Sequence, residues 1–176
     1  MRGGRSRRGA ARALGAALLL LGCAGELASL EGGFRHRRHG YAIGEPGPPW
    51  ARVPVEHAVI AFRRPGPATM SLQSRCSGPV AEPAVMARHL RIGLPGYTLR
   101  QSGPVGIGGH GGWSQTLDTL EDGVGVRVKT VTVVAGDCTL DWILVASSSF
   151  ESAEMDFDVW VSSVQLPGDP ALAERP

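Results

Sequence analysis

The stretch Trp113–Ala146, WSQTLDTLEDGVGVRVKTVTVVAGDCTLDWILVA, decides how this chain folds. In its first part Trp113, Gln115, Leu117 and Thr119 alternate with Ser114, Thr116, Asp118 and Leu120, the period-two pattern of a strand with two unlike faces. Glu121-Asp122-Gly123 then makes a tight hairpin turn into Val124–Ala135. There Val124, Val126 and Val128, followed by Val131, Val133 and Val134, supply strand formers to both faces. Gly136-Asp137 turns the chain again into Cys138–Ala146. Three long strands in succession joined by tight turns predict an antiparallel meander.

Working outward, Ser148 followed by Glu151 has the spacing of a capping box. Phe150, Ala153, Phe157, Trp160, Val161 and Val164 then recur at helical spacing, so a helix over about 149–165 is predicted to bury that stripe on the sheet. The proline-rich tail, 167–176, is expected to be disordered. Upstream, Tyr97–Pro104 reads as another strand. Pro83 suits the first turn of a helix over about 83–94, with Val85, Met86, His89, Leu90 and Gly93 on one side and Pro95-Gly96 as its end. Ala58–Arg63 and Ala68–Arg75 read as strands joined by RPGP, and Tyr41–Ile43 as a short strand stopped by EPGPPW. Strands, helix, antiparallel strands and helix together predict an α+β domain, a mainly antiparallel sheet with two packed helices, over 41–166.

The N-terminus reads as a targeting segment: five arginines (Arg2, Arg5, Arg7, Arg8, Arg12) precede an apolar run, Ala13–Leu21, too short to span a bilayer comfortably. Leu20-Leu21-Gly22-Cys23 resembles a lipobox, in which the cysteine becomes the acylated N-terminus. An ordinary signal peptide with a chance cysteine is the alternative. Residues 1–22 are thus expected to be a lipoprotein signal peptide. Residues 23–40, polar and aperiodic, are expected to tether the lipid to the domain, with Arg35, His36, Arg37, Arg38 and His39 either solvated or touching anionic head groups. Ala24 after the anchor favours outer-membrane sorting, facing the periplasm, under the rule known for enteric bacteria.

Losing the leader removes five of the 18 basic residues and none of the 16 acidic ones, so 13 stand against 16 and the formal charge is −3. The balance gives no support for nucleic-acid binding. Past the leader two cysteines remain besides Cys23. Cys76 and Cys138 lie in a compartment that permits disulfides, and a bridge closing that loop is worth about 4 kcal/mol on the loop-entropy model. Two free buried thiols are the other possibility. No C-x-x-C occurs, so no metal site is expected there.

The segments YAIGEPGPPWARV, HAVIAFRR, MARHLRIGL, GDCTLDWILVA and FESAEMDFDVWVSSV resemble a group of bacterial lipoproteins, largely of unknown function, with a PsbP-like α/β/α sandwich domain. The resemblance spans about Phe34–Val164. It implies a PsbP-like sandwich, supports a bridge between Cys76 and Cys138, and brings no catalytic residues to map, since fold analogy does not carry activity.

One segment invites a catalytic reading. Gly106–Trp113, GIGGHGGW, holds five glycines and a histidine, like the HGG segment of some serine-esterase oxyanion holes. Its neighbour Gly112-Trp113-Ser114-Gln115-Thr116 lacks the last glycine of a nucleophile elbow and runs on as a strand. His110 with Asp118 or Asp137 is therefore a weak triad, and a hairpin turn explains the glycines. Gly108, Gly109, His110 and Gly111 are retained as a possible contact loop. Calcium at Glu151, Glu154, Asp156 and Asp158 lacks the loop motif, and metal sharing by His36 and His39 is disfavoured by the surrounding arginines. His89 is expected at the core boundary, and Trp50, Trp113, Trp142 and Trp160 in core or boundary positions. No catalytic residues, cofactor or metal are expected. The expectation is a lipid-anchored envelope module, held to the membrane by Cys23, that binds an envelope protein or lipid. The alternative is a small hydrolase using His110.

Overall fold

Asp122 and Gly123 take φ of 50° and 80°, the left-handed pair that a two-residue type I′ hairpin demands. In the computed structural model, which describes residues 27–168, they join β8 (His110–Glu121) to β9 (Val124–Ala135), with Glu121 opposite Val124. Gly136, at φ 60°, turns β9 into β10 (Cys138–Ala146). On the far side, β7 (Thr98–Ile107) enters β8 through a third tight turn. The other edge of β10 pairs with β6 (Ala68–Cys76), followed outward by β5 (Ile60–Arg64) and β4 (Ala51–Arg52). The result is a seven-stranded antiparallel sheet of order β4-β5-β6-β10-β9-β8-β7.

Strand alternation gives this sheet two buried faces. One carries Met70, Leu72, Val131, Val133, Leu140, Trp142 and Leu144 against α2 (Phe150–Ser162), whose Phe150, Ala153, Phe157, Trp160 and Val161 are buried. Phe62 meets Trp160 edge-on, with ring centroids 5.5 Å apart. The opposite face carries a smaller cluster of Leu117, Val126 and Val128, and α1 (Pro83–His89) packs there against β8 and β9. Polar ties fasten α2: Lys129 Nζ reaches Glu154 and Asp158, both at 2.9 Å, and Arg64 and the Trp50 indole both donate to Asp156.

Three expectations change. Residues 23–40 are not a tether along their length, because β1 (Leu27–Leu30) and β2 (Gly33–His36) form a three-stranded sheet with β3 (Ala42–Gly44). Phe34 and His36 are buried there, and Ala42 bridges to Gln165 beyond α2. Polar composition hid a hairpin whose few inward side chains are covered by the α2 side of the fold. Secondly, α1 ends at His89. The chain winds on to Leu94 with a tighter pitch, through i→i−3 bonds such as Leu90 N–H to the Ala87 carbonyl, and His89, the last residue of α1, is exposed and off the core boundary. Thirdly, α2 starts without the capping box. Ser149 is the N-cap at φ 56°, no side chain caps the helix, and Glu151 instead faces Arg127 at 3.3 Å. The C-terminal end of α2 is Ser162, not 165, since Gln165 is drawn into its bridge with Ala42.

Candidate functional site

The face under α1 is polar where its neighbour is apolar. Gln115, almost fully buried, donates to the Ala87 carbonyl at 2.7 Å and accepts from Arg91 Nε at 2.6 Å, which clamps the C-terminal end of α1 and the turn after it onto β8. Thr119 donates to the Pro95 carbonyl at 2.8 Å and pins the following turn. Opposite Gln115 in register stands Thr130, and opposite Thr132 stands Asp141. The Thr132 hydroxyl donates to Asp141 at 2.6 Å. Burial pushes the Asp141 carboxyl above the ordinary carboxylate range, and the Thr132 bond and Arg75 only partly oppose it. The alternation of the sequence carried this signal, polar residues at successive inward positions of otherwise apolar strands, but it pointed to no function.

Two clefts open beside this cluster, divided by the chain around Val80 and Ala81. The larger, about 630 Å³, lies between Val80–Ala84 and the sheet, over Pro104, Gly111, Gly112, Trp113 and Val134. The smaller, about 360 Å³, is lined by Arg75, Pro79, Met86, His89, Asp137 and Thr139. Trp113 is half-buried in the floor of the larger cleft, its indole N–H held by Ser102 Oγ at 2.8 Å. The cleft is open to solvent and mixes apolar with polar lining around the Trp113 indole.

The glycine segment contributes to that crevice in parts. Gly108 and Gly109, with φ of 53° and 77°, form a two-residue type I′ hairpin turn, with Ile107 opposite His110. The turn is tighter than a glycine count alone suggests. Gly112 is required for another reason: a Cβ there would sit 2.8 Å from the Thr132 carbonyl and 3.0 Å from Val133. Gly111 faces the cleft and the Gly112 backbone borders it, whereas alternation puts His110, like the Cβ position of Gly112, on the other face.

Among the described residues no side chain hydrogen-bonds or ion-pairs with His110. Asp118, a potential orienting carboxylate, is spent on Arg127 at 2.8 Å and Arg100 at 2.6 Å, and these two guanidinium groups hold it below its usual range. Ser114 sits within β8, away from any strand-to-helix turn. The acidic residues of α2 likewise face cations: Glu154 and Asp158 at Lys129, Asp156 at Arg64, Glu151 at Arg127. Burial pulls the Lys129 ammonium down, but its two carboxylates outweigh that and its pKa rises.

The structure joins Cys76 to Cys138 with an S–S distance of 2.01 Å, directly opposite each other at the open end of the β6–β10 ladder. His39 lies within 4.8 Å of both sulfurs. A donor set of His39 with two cysteines is one the sequence did not suggest, and the disulfide commits both sulfurs. His36 accepts the His39 backbone N–H at 3.2 Å. Trp50, Trp142 and Trp160 are buried. Cys23 and the tail from 169 onward lie outside the described residues.

LpqN of Mycobacterium tuberculosis, involved in cell envelope biogenesis, superposes with a TM-score of 0.58 at 19% identity, covering 73% of this chain and 84% of LpqN. The cyanobacterial PsbP of Synechocystis, CyanoP, superposes with a TM-score of 0.51 at 13% identity, covering 72% and 86%. The fold is PsbP-like. A Pseudomonas aeruginosa protein of unknown function, PA94, shares it with a TM-score of 0.53 at 16% identity, covering 78% and 93%. No protein-family model and no curated protein sequence matches the chain. At these identities the likeness establishes the PsbP-like fold and leaves activity to the residues themselves.

Proposed function

We propose that this protein is a cell-envelope lipoprotein, anchored through acylated Cys23 and facing the periplasm from the outer membrane, whose PsbP-like domain is a non-catalytic binding or accessory module. The observation that carries the binding reading is the crevice beside α1, with Trp113 fixed in its floor by Ser102 and an apolar lining of Val80, Pro104 and Val134. His110, the strongest catalytic candidate in the sequence, faces away from that crevice and has no partner acid or nucleophile among the described residues, which favours binding over hydrolysis. The LLGC motif and the likeness to an envelope-biogenesis protein support the location. The ligand in this reading is an envelope protein segment or a lipid chain.

A photoreactive residue at Val80, on the rim, tests the crevice in intact cells. The expected result is a discrete adduct that Trp113→Ala reduces several-fold. An equal adduct from position 159 on the outer face of α2, or none from Val80, would count against the crevice. Independently, Cys23→Ala is expected to move the protein from the membrane to the soluble fraction, and retention at the membrane would refute the anchor.

A further inference from the structure

The N-terminal hairpin makes the distance from lipid to domain short and gives it a direction. Leu27 is the first residue of β1 and pairs with His36, the last of β2. The turn that leaves β2, Arg37-Arg38-His39-Gly40, therefore projects from the end of the domain at which the chain enters. Only four residue steps separate Cys23 from Leu27, a reach of at most about 14 Å fully extended. Charges feel an anionic surface within a Debye length, about 8 Å at physiological ionic strength. Arg37 and Arg38 are exposed, and neither meets an acidic side chain among the described residues. The turn is also stiff: Gly40 N–H bonds the His36 carbonyl at 2.9 Å, the His39 N–H bonds the His36 ring, and His39 packs beside the Cys76–Cys138 bridge. The neighbours of the two cysteines in sequence, Arg75 and Asp137, cancel, and Glu26 in the link offsets one of the turn's two arginines, which leaves a net positive charge there.

We propose that the Arg37–Gly40 turn is a membrane-contact surface for anionic phospholipid head groups, which orients the domain on the bilayer. The inference rests on the anchor reading above. Its energetic role is orientation, because two arginines add little to the hold of the acyl chains. With the turn against the bilayer, the domain sits on its disulfide end instead of swinging on a tether.

The test is hydrogen exchange on the lipid-bearing full protein, extracted from membranes and reconstituted into vesicles of phosphatidylcholine alone or with phosphatidylglycerol. Amides 37–40 are expected to exchange more slowly, by about thirty-fold for two arginines near an anionic surface, only on vesicles containing phosphatidylglycerol. High salt and the pair Arg37→Gln, Arg38→Gln should each abolish the difference, with an unchanged melting temperature confirming that the variant folds. Equal exchange on both vesicles, or protection that survives the double substitution, would overturn the proposal. Protein that washes off both vesicles in high salt would instead indict the anchor.

Discussion

Asp141 is the residue at which burial and chemistry are most at odds. Its folded pKa is raised by burial, so the native state holds a proton more tightly than the unfolded chain does. Stability from this group therefore falls as pH rises from the unfolded value through the folded one. Asp141→Asn keeps an acceptor for Thr132 and removes the charge, and it is expected to raise the melting temperature at neutral pH. The gain should fade as pH drops below the unfolded carboxylate value, and calorimetry across pH checks it. Asp118 behaves oppositely. Arg127 and Arg100 depress its pKa, so its contribution is present at neutral pH and disappears as pH falls through that lowered value. The glycines of GIGGHGGW separate in the same way, residue by residue. Gly112→Ala should cost about 1–3 kcal/mol from overpacking against the Thr132 carbonyl and Val133. Gly111→Ala, with nothing within 4 Å of its Cβ position and no positive φ, should change stability by less than about 0.5 kcal/mol. Urea denaturation of the pair distinguishes a close approach from a merely small residue. The sequence showed five glycines but could not show which strand lies against them.

Among the elements, the legible ones were those whose pattern is self-contained. β9 and β10 span Val124–Ala135 and Cys138–Ala146 as read, because type I′ and glycine turns bound them and valines fill them. The buried stripe of α2 was equally plain. Helix ends were less so, since they depend on partners elsewhere: Gln165 is taken by Ala42 and Glu151 by Arg127. The hairpin of β1 and β2 was missed altogether, because Phe34 and His36 are too few to make a period. The bridge between Cys76 and Cys138 was an open choice in the residues themselves, and the register of β6 on β10 brings the pair face to face. Replacing both by serine should lower unfolding free energy by about 4 kcal/mol on the loop-entropy model, measurable in urea. A loss under 1 kcal/mol would mean that the ladder alone holds that end.

At the scale of the molecule, the described residues form two helices, a seven-stranded sheet and a small N-terminal sheet, a domain with an apolar face and a polar one. The apolar face, under α2, holds the fold together. The polar face, under α1, carries the crevice, and Gln115 sets the position of its helical wall. No helix among the described residues is long and apolar enough to cross a membrane; in the proposed reading the hold on the membrane is Cys23. The architecture was readable from alternation, turn chemistry and the family resemblance. The crevice was not, because Trp113, Val80 and Pro104 come from three separate segments and meet only in the folded sheet. Cys23 as the lipid-bearing first residue is the premise of the proposed function, and intact mass spectrometry of protein extracted from membranes tests it. The expected mass is that of a chain beginning at Cys23 with a diacylglyceryl group attached; a chain beginning elsewhere, or one beginning at Cys23 without acyl groups, would contradict it.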